Sequence, residues 1–173
     1  DLFGNVLSQR IDTYNSETAL PGEFVNRRDI LNVYDDDIAA RRGNPTETTA
    51  TRYKDVDANV LIDQTITNNT SFDSLGNILT QTQDTYIGDA LEHATHREIE
   101  NLYENDTARN RGDATTQRIA TYQVDGPSQT LVNYQVFTNR KYDGQHNIEN
   151  QMVFTYTESG GTLLDVQEIR SIG

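Results

Sequence analysis

His93 and His96 stand three residues apart, with Glu98 two further on. These side-chain types could ligate a transition metal, provided they converge on one face. In a strand, residues three apart point to opposite faces, and no third ligand recurs at matching places elsewhere. The expectation is a pair of exposed histidines. Asp35, Asp36 and Asp37 in "YDDDIAARRG" form the kind of carboxylate cluster that calcium favours in a turn. The equivalent "YENDTARNRG" keeps only Glu104 and Asp106, and no complete EF-hand pattern follows. These acids are expected to be solvated, with calcium the ion such turns would suit if one bound. The Asp after each aromatic is expected to cap a turn by accepting backbone N–H bonds.

No nucleophile elbow surrounds a serine. "TESGGT" at 157–162 is a hairpin loop rather than a phosphate cradle, because no helix or lysine follows. The absence of cysteine excludes disulfides, thiolate metal sites and a thiol nucleophile. Asn68, Asn69 and Asn105 lie in N-x-[ST] sequons, which matter only in a glycosylating host. No catalytic, cofactor-binding or metal residue is predicted, and the chain does not read as an enzyme.

What must position these residues is a repeated element. Aligned on a Gly-Asn step, five eleven-residue phrases fall out: "GNVLSQRIDTY", "GNPTETTATRY", "GNILTQTQDTY", "GDATTQRIATY" and "HNIENQMVFTY". They start at Gly4, Gly43, Gly76, Gly112 and His146, and close on Tyr14, Tyr53, Tyr86, Tyr122 and Tyr156. Four carry Thr before the closing Tyr, and four carry Gln at the sixth place: Gln9, Gln81, Gln117 and Gln151. A second aromatic precedes each later copy at Tyr34, Phe72, Tyr103 and Tyr142, and Asp1 fits the slot that follows such an aromatic. The aromatic-to-Gly distance alternates between four residues in "FDSLG" and "YDGQH" and nine in "YDDDIAARRG" and "YENDTARNRG". The true period is therefore a pair of copies, about 70 residues. This alternation implies two kinds of turn, on opposite edges or facing different neighbours. The array divides near 1–33, 34–71, 72–102, 103–141 and 142–173. It starts without Met and stops where the next aromatic is due, as a segment of a longer chain or polymer would.

Enrichment in Thr, Val, Ile and Tyr without helical spacing makes each phrase a strand. Gly-Asn before it is a turn signal, since both residues tolerate positive φ. Partner strands are expected in "FVNRRDILNVY", "NVLIDQTITNNTSF", "HREIENLY", "LVNYQVFTNRKY" and "LLDVQEIRSI", with polar loops such as "NSETALPGE", "QVDGPSQ" and "TESGG" between the two. A helix over "DALEHATHREIENLY" competes, but its apolar stripe is weak and its counterparts in other copies are poor helices. Each copy is thus a long β-hairpin, and consecutive hairpins pair side by side. Face assignment stays open. Leu7, Gln9, Ile11 and Thr13 share one face and Val6, Ser8, Arg10, Asp12 and Tyr14 the other, unless a bulge moves the terminal Tyr or both faces are partly wet, as in a thin solenoid wall. In-phase copies would bring the closing tyrosines into one aromatic ladder and the second aromatics into another. A single hairpin cannot offset a backbone ordering cost of ~1–2 kcal/mol per residue, so neighbours must supply the rest. Terminal strands would offer edges ready to pair.

The 173 residues suffice for one ordinary domain. Nine Tyr and five Phe argue for order despite only 34% apolar residues. A net charge of −13, with the basic pairs Arg27-Arg28, Arg41-Arg42 and Arg140-Lys141 isolated, disfavours nucleic acid and anionic membrane surfaces. No signal peptide or apolar span is present to insert this segment in a membrane.

The aromatic-Asp pair, the Gly-Asn step and the Thr-rich strand closing on Tyr resemble the YD-repeat (RHS-type) family over essentially the whole chain, and "FDSLGNILTQTQDTY" is the closest match. The resemblance implies an all-β solenoid or spiral sheet of tandem hairpins, from a large bacterial surface or secreted protein. The nine-residue spacings and His146 in the Gly slot depart from the family pattern, as does the lack of an autoprotease segment. The expectation is a structural module of an extracellular fibre, stalk or cell-surface scaffold, whose partners are copies of itself or flanking repeats. The alternative is a shell or adhesin module binding a partner, glycan or cargo.

Overall fold

The computed structural model of the protein describes residues 1–18 and 20–171. Among the described residues, ten strands follow one another across a single sheet: β1 Ser8–Tyr14, β2 Phe24–Val33, β3 Glu47–Tyr53, β4 Leu61–Phe72, β5 Ile78–Ile87, β6 Glu92–Leu102, β7 Thr116–Asp125, β8 Ser128–Tyr142, β9 Ile148–Tyr156 and β10 Leu163–Arg170. Each pairs antiparallel with its sequence neighbour, in a simple meander. The sheet is open, with β1 and β10 as its edges. All five phrases and all five expected partner segments supply strands, the last residue of the final segment lying outside those described. The stretch that competed as a helix is β6. The expected loop "QVDGPSQ" is shorter than foreseen, since β7 runs to Asp125 and pairs with Ser128 across the Gly126-Pro127 turn.

The two kinds of turn are real, but both lie at the same end of the sheet, joining even strands to odd ones. The short kind is a bracket closed by one aspartate. Asp73 Oδ1 accepts from the backbone N–H groups of Leu75 and Asn77, and Oδ2 accepts from Asn77 Nδ2. Asp143 does the same for Gln145 and Asn147, and Asp1 for Phe3 and Asn5. This is the expected capping role, made specific by the Asn four residues on.

The long kind contains a helix that the sequence reading took for a plain turn. α1 spans Asp37–Arg41, N-capped by Asp36, whose carboxylate accepts from the N–H groups of Ile38 and Ala39. α2 spans Asp106–Arg111, N-capped by Asn105, whose side-chain oxygen accepts from Ala108 N–H. A side-chain oxygen at that place satisfies N–H groups that the first helical turn leaves free.

The five residues that open the phrases share one backbone state. Gly4, Gly43, Gly76 and Gly112 have φ of +82°, +78°, +81° and +80°, and His146 in the same slot has +68°. The left-handed region costs glycine little, which explains the four glycines.

Brackets and helices alternate in a row, and much of the core lies there. Ala39, Ala40 and Ala108 are buried, and Asn77 is only 1% exposed. On the sheet itself only Ile99 and Val153 are buried apolar residues among those described. Both faces of the sheet are therefore largely wet, and order rests on hydrogen-bonded neighbours more than on an oily interior.

Candidate functional site

Three rows of side chains run across the strands. The first is the row of turns. Asn5 Nδ2 donates to Ala40 O of α1, and Asn77 Nδ2 donates to Arg109 O of α2 at 2.8 Å, so each bracket grips the helix that follows it. Asn44 Nδ2 donates to Gly76 O. Arg42 reaches Leu75 O through Nε and Asn110 O through Nη2. Arg111 donates to Asp143 O and pairs with Asp113, which also holds His146 Nδ1 at 2.7 Å. Burial alone would raise the Asp73 pKa, but bonds from the Asn77 side chain and from the backbone of Asn77 and Leu75 outweigh it and hold the carboxyl below its ordinary value. A polar cleft of about 270 Å³ opens in this row beside Arg42, Asn77, Tyr103 and Arg111.

The second row was not foreseen. Asn32, Asn69, Asn101 and Asn139 sit two or three residues before the second aromatics, and each donates its side-chain N–H to a carbonyl at the start of the preceding odd strand: Val6, Pro45, Ile78 and Ala114. Ser171 Oγ makes the corresponding bond to Ile148 O. The next odd strand closes the link. Asn101 Oδ1 accepts from Gln117 Nε2 at 2.9 Å, Asn139 Oδ1 from Gln151 Nε2, and Asn32 Oδ1 from Thr48 Oγ1. Asn69 lies opposite Gln81 in the register, with its Oδ1 buried and unpartnered. The recurring Gln of the phrases thus acts as a register lock, and "NVY", "NNTSF", "NLY" and "TNRKY" carried the signal for its partner. Tyr103 and Tyr142 add hydroxyl bonds to the same carbonyls of Ile78 and Ala114; burial pushes the Tyr103 phenol up to about 12 and the Tyr142 phenol in the same direction. Phe72 pairs with Ile78, and Tyr34 follows the end of β2.

The third row holds the closing tyrosines. The registers place Tyr14, Tyr53, Tyr86, Tyr122 and Tyr156 on one face, at one end of the odd strands. They do not form a continuous ring stack, because an even strand separates each from the next by two spacings of ~4.8 Å. Their ring contacts are with that even strand: Tyr14 on Phe24 at 5.8 Å, and Tyr86 on His93 at 4.7 Å. A β-bulge sits opposite every one of them. The skipped residue lies on the return strand, at Val25, Ile62, Ala94, Val132 and Leu164. The closing tyrosines therefore keep the face of Arg10 and Asp12, and the return strand changes face instead.

That bulge overturns the expectation for the histidines. With Ala94 skipped, His93 pairs with Tyr86 and His96 with Asp84. Both imidazoles then stand on one face beside the Asp84 carboxylate, with His93 29% and His96 16% exposed. Among the described residues these three are the side chains grouped closely enough to hold a metal ion. The acids of the long turns are spent locally: Asp36 caps α1, while Asp37 and Asp106 lie in first helical turns.

No family model, no curated protein and no solved structure matches this chain.

Proposed function

We propose that this is a structural module of a YD-repeat-type extracellular or cell-surface fibre, stalk or scaffold, in which tandem hairpins extend a solenoid or spiral sheet by adding strands at its two edges. The partner at an edge is another copy of the chain or a flanking repeat of the same pattern. Such a module carries mechanical tension along the array and catalyses no reaction.

The observation that carries this reading is the half-made register lock at each edge. Gln9 on β1 occupies the place of Gln117 and Gln151, with no Asn opposite it and, among the described residues, no side-chain partner of its own. Ser171 occupies the Asn place after β10, and no Gln closes its link among the described residues. Gln9 and Ser171 fall on the same face by the register, so joining β10 of one copy to β1 of the next would complete the lock and bring Ile169 opposite Ile11. Both isoleucines are exposed, at 49% and 40%. Unpaired edge strands with apolar side chains are templates for further pairing.

Sedimentation velocity over a concentration series, with negative-stain imaging, tests the proposal. End-to-end oligomers are expected, and Ile11→Lys with Ile169→Lys, which sets two cations face to face at exposed positions, should return the chain to monomer with an unchanged circular dichroism spectrum. A chain that stays monomeric at every concentration, or oligomers indifferent to both substitutions, would remove the edge from the account.

A further inference from the structure

The geometry points to a divalent transition-metal site, of the type zinc occupies, formed by Asp84 on β5 and His93 and His96 on β6. His96 Nδ1 lies 2.7 Å from Asp84 Oδ1, and His93 Nε2 lies 2.8 Å from the same oxygen. All three ligand atoms fall within 4.8 Å of one another. Two imidazole nitrogens and one carboxylate oxygen are a borderline donor set that suits zinc, with copper and nickel as competitors.

Three further features distinguish this group from a chance meeting of polar residues. First, His93 Nε2 is buried and makes no hydrogen bond, although it stands 2.8 Å from a carboxylate. Its ring N–H direction misses the oxygen, and a cation between the two would satisfy both. Secondly, the ring of His93 is held in place by stacking on Tyr86, with the planes 25° apart. Thirdly, the far nitrogen of His96, Nε2, faces Glu98 Oε1 at 3.9 Å, and the other oxygen of Glu98 accepts from the Tyr122 hydroxyl. That separation is longer than a hydrogen bond; a turn of the exposed Glu98 side chain toward Nε2 would supply the carboxylate that commonly orients a ligating imidazole.

The site depends on the bulge at Ala94, without which the two histidines would stand on opposite faces. Around one ion with bonds of ~2.0–2.2 Å the ligand atoms stand about 3.3 Å apart, so each imidazole nitrogen needs to move only about half an ångström away from Asp84 Oδ1. Water would fill the fourth coordination position. A metal here would clip β5 to β6 across the bulge, near the middle of the sheet.

Titration of the purified chain with Zn²⁺ by calorimetry, and with Co²⁺ by visible absorption, provides the test. One ion per chain is expected, with a cobalt spectrum of four-coordinate type. His93→Ala and Asp84→Asn should each weaken binding more than tenfold, Glu98→Gln by about tenfold, and His146→Ala, which removes the remaining histidine, not at all. Circular dichroism checks that the variants fold; the wild-type cobalt spectrum needs no variant and stands by itself. A wild-type chain that takes up neither ion, a cobalt spectrum of the six-coordinate aquo ion, or binding unchanged by His93→Ala and Asp84→Asn would overturn the assignment.

Discussion

Replacing Gly76 by alanine probes how tightly the turns are packed against one another. Gly76 has φ +81°, and a Cβ there would stand 2.7 Å from Ile38 O, 3.0 Å from Ile38 C and 3.1 Å from Ala39 Cα. All three are backbone atoms of α1, which is anchored on its other side by Asn5 and cannot rotate aside as a side chain could. The left-handed conformation costs an L-residue roughly 1–2 kcal/mol, and forcing a methyl into a filled space typically costs about 1–3 kcal/mol more. The sum is a loss of about 2–5 kcal/mol. Gly4→Ala supplies the control, because its φ is +82° but nothing lies within 4 Å of its Cβ; it should lose only the conformational part. Urea and thermal unfolding followed by circular dichroism would read the difference, at about 2–4 °C of melting temperature per kcal/mol for a chain of this size. Equal losses for the two variants would refute the close packing of bracket on helix.

Other outcomes follow from the same geometry. Asn101→Ala should cost about 1–3 kcal/mol, since it strips Ile78 O and Gln117 Nε2 of a partner at once; chemical denaturation measures it. Asp73 has a folded pKa below its unfolded value, so its contribution is present above pH ~4 and fades as pH falls through the folded value. Asp73→Asn should therefore lower stability at neutral pH and flatten the acid limb of a stability–pH profile. Tyr103 has a folded pKa raised to about 12, so its contribution is intact below the unfolded value near 10 and is lost as pH rises through 12; Tyr103→Phe should shrink that alkaline loss in pH-dependent unfolding. At the proposed junction the register sets Arg10 opposite Arg170 and Asp12 opposite Glu168. Added salt should then strengthen association, by screening like charges, and sedimentation at rising ionic strength reads this directly.

The sequence was most informative where one residue type must recur for one backbone reason. The Gly of four phrases marks a left-handed turn, and in the short turns the Asp after the aromatic marks a bracket, so strand order and turn positions could be read from the residues; in the long turns the cap is instead one residue further on, at Asp36 and Asn105. The helices were missed because five or six residues are too few to show a 3.6-residue period. Only the capping Asp36 and Asn105 and the Gly after each helix announced them. The asparagine row was missed for a different reason: a bulge adds one residue between Asn69 or Asn139 and the aromatic that follows, so strict alignment on the aromatics hid it. The bulges opposite the tyrosines were invisible because the skipped residues, Val25, Ile62, Ala94, Val132 and Leu164, look like ordinary strand residues. One of them decides whether His93 and His96 meet.

Amide hydrogen exchange, followed peptide by peptide at increasing protein concentration, tests the central claim most directly. The account predicts that β1 and β10 exchange quickly in dilute solution and become protected together as concentration rises, while β4 to β7 stay protected throughout. Edge strands whose exchange is independent of concentration would contradict it.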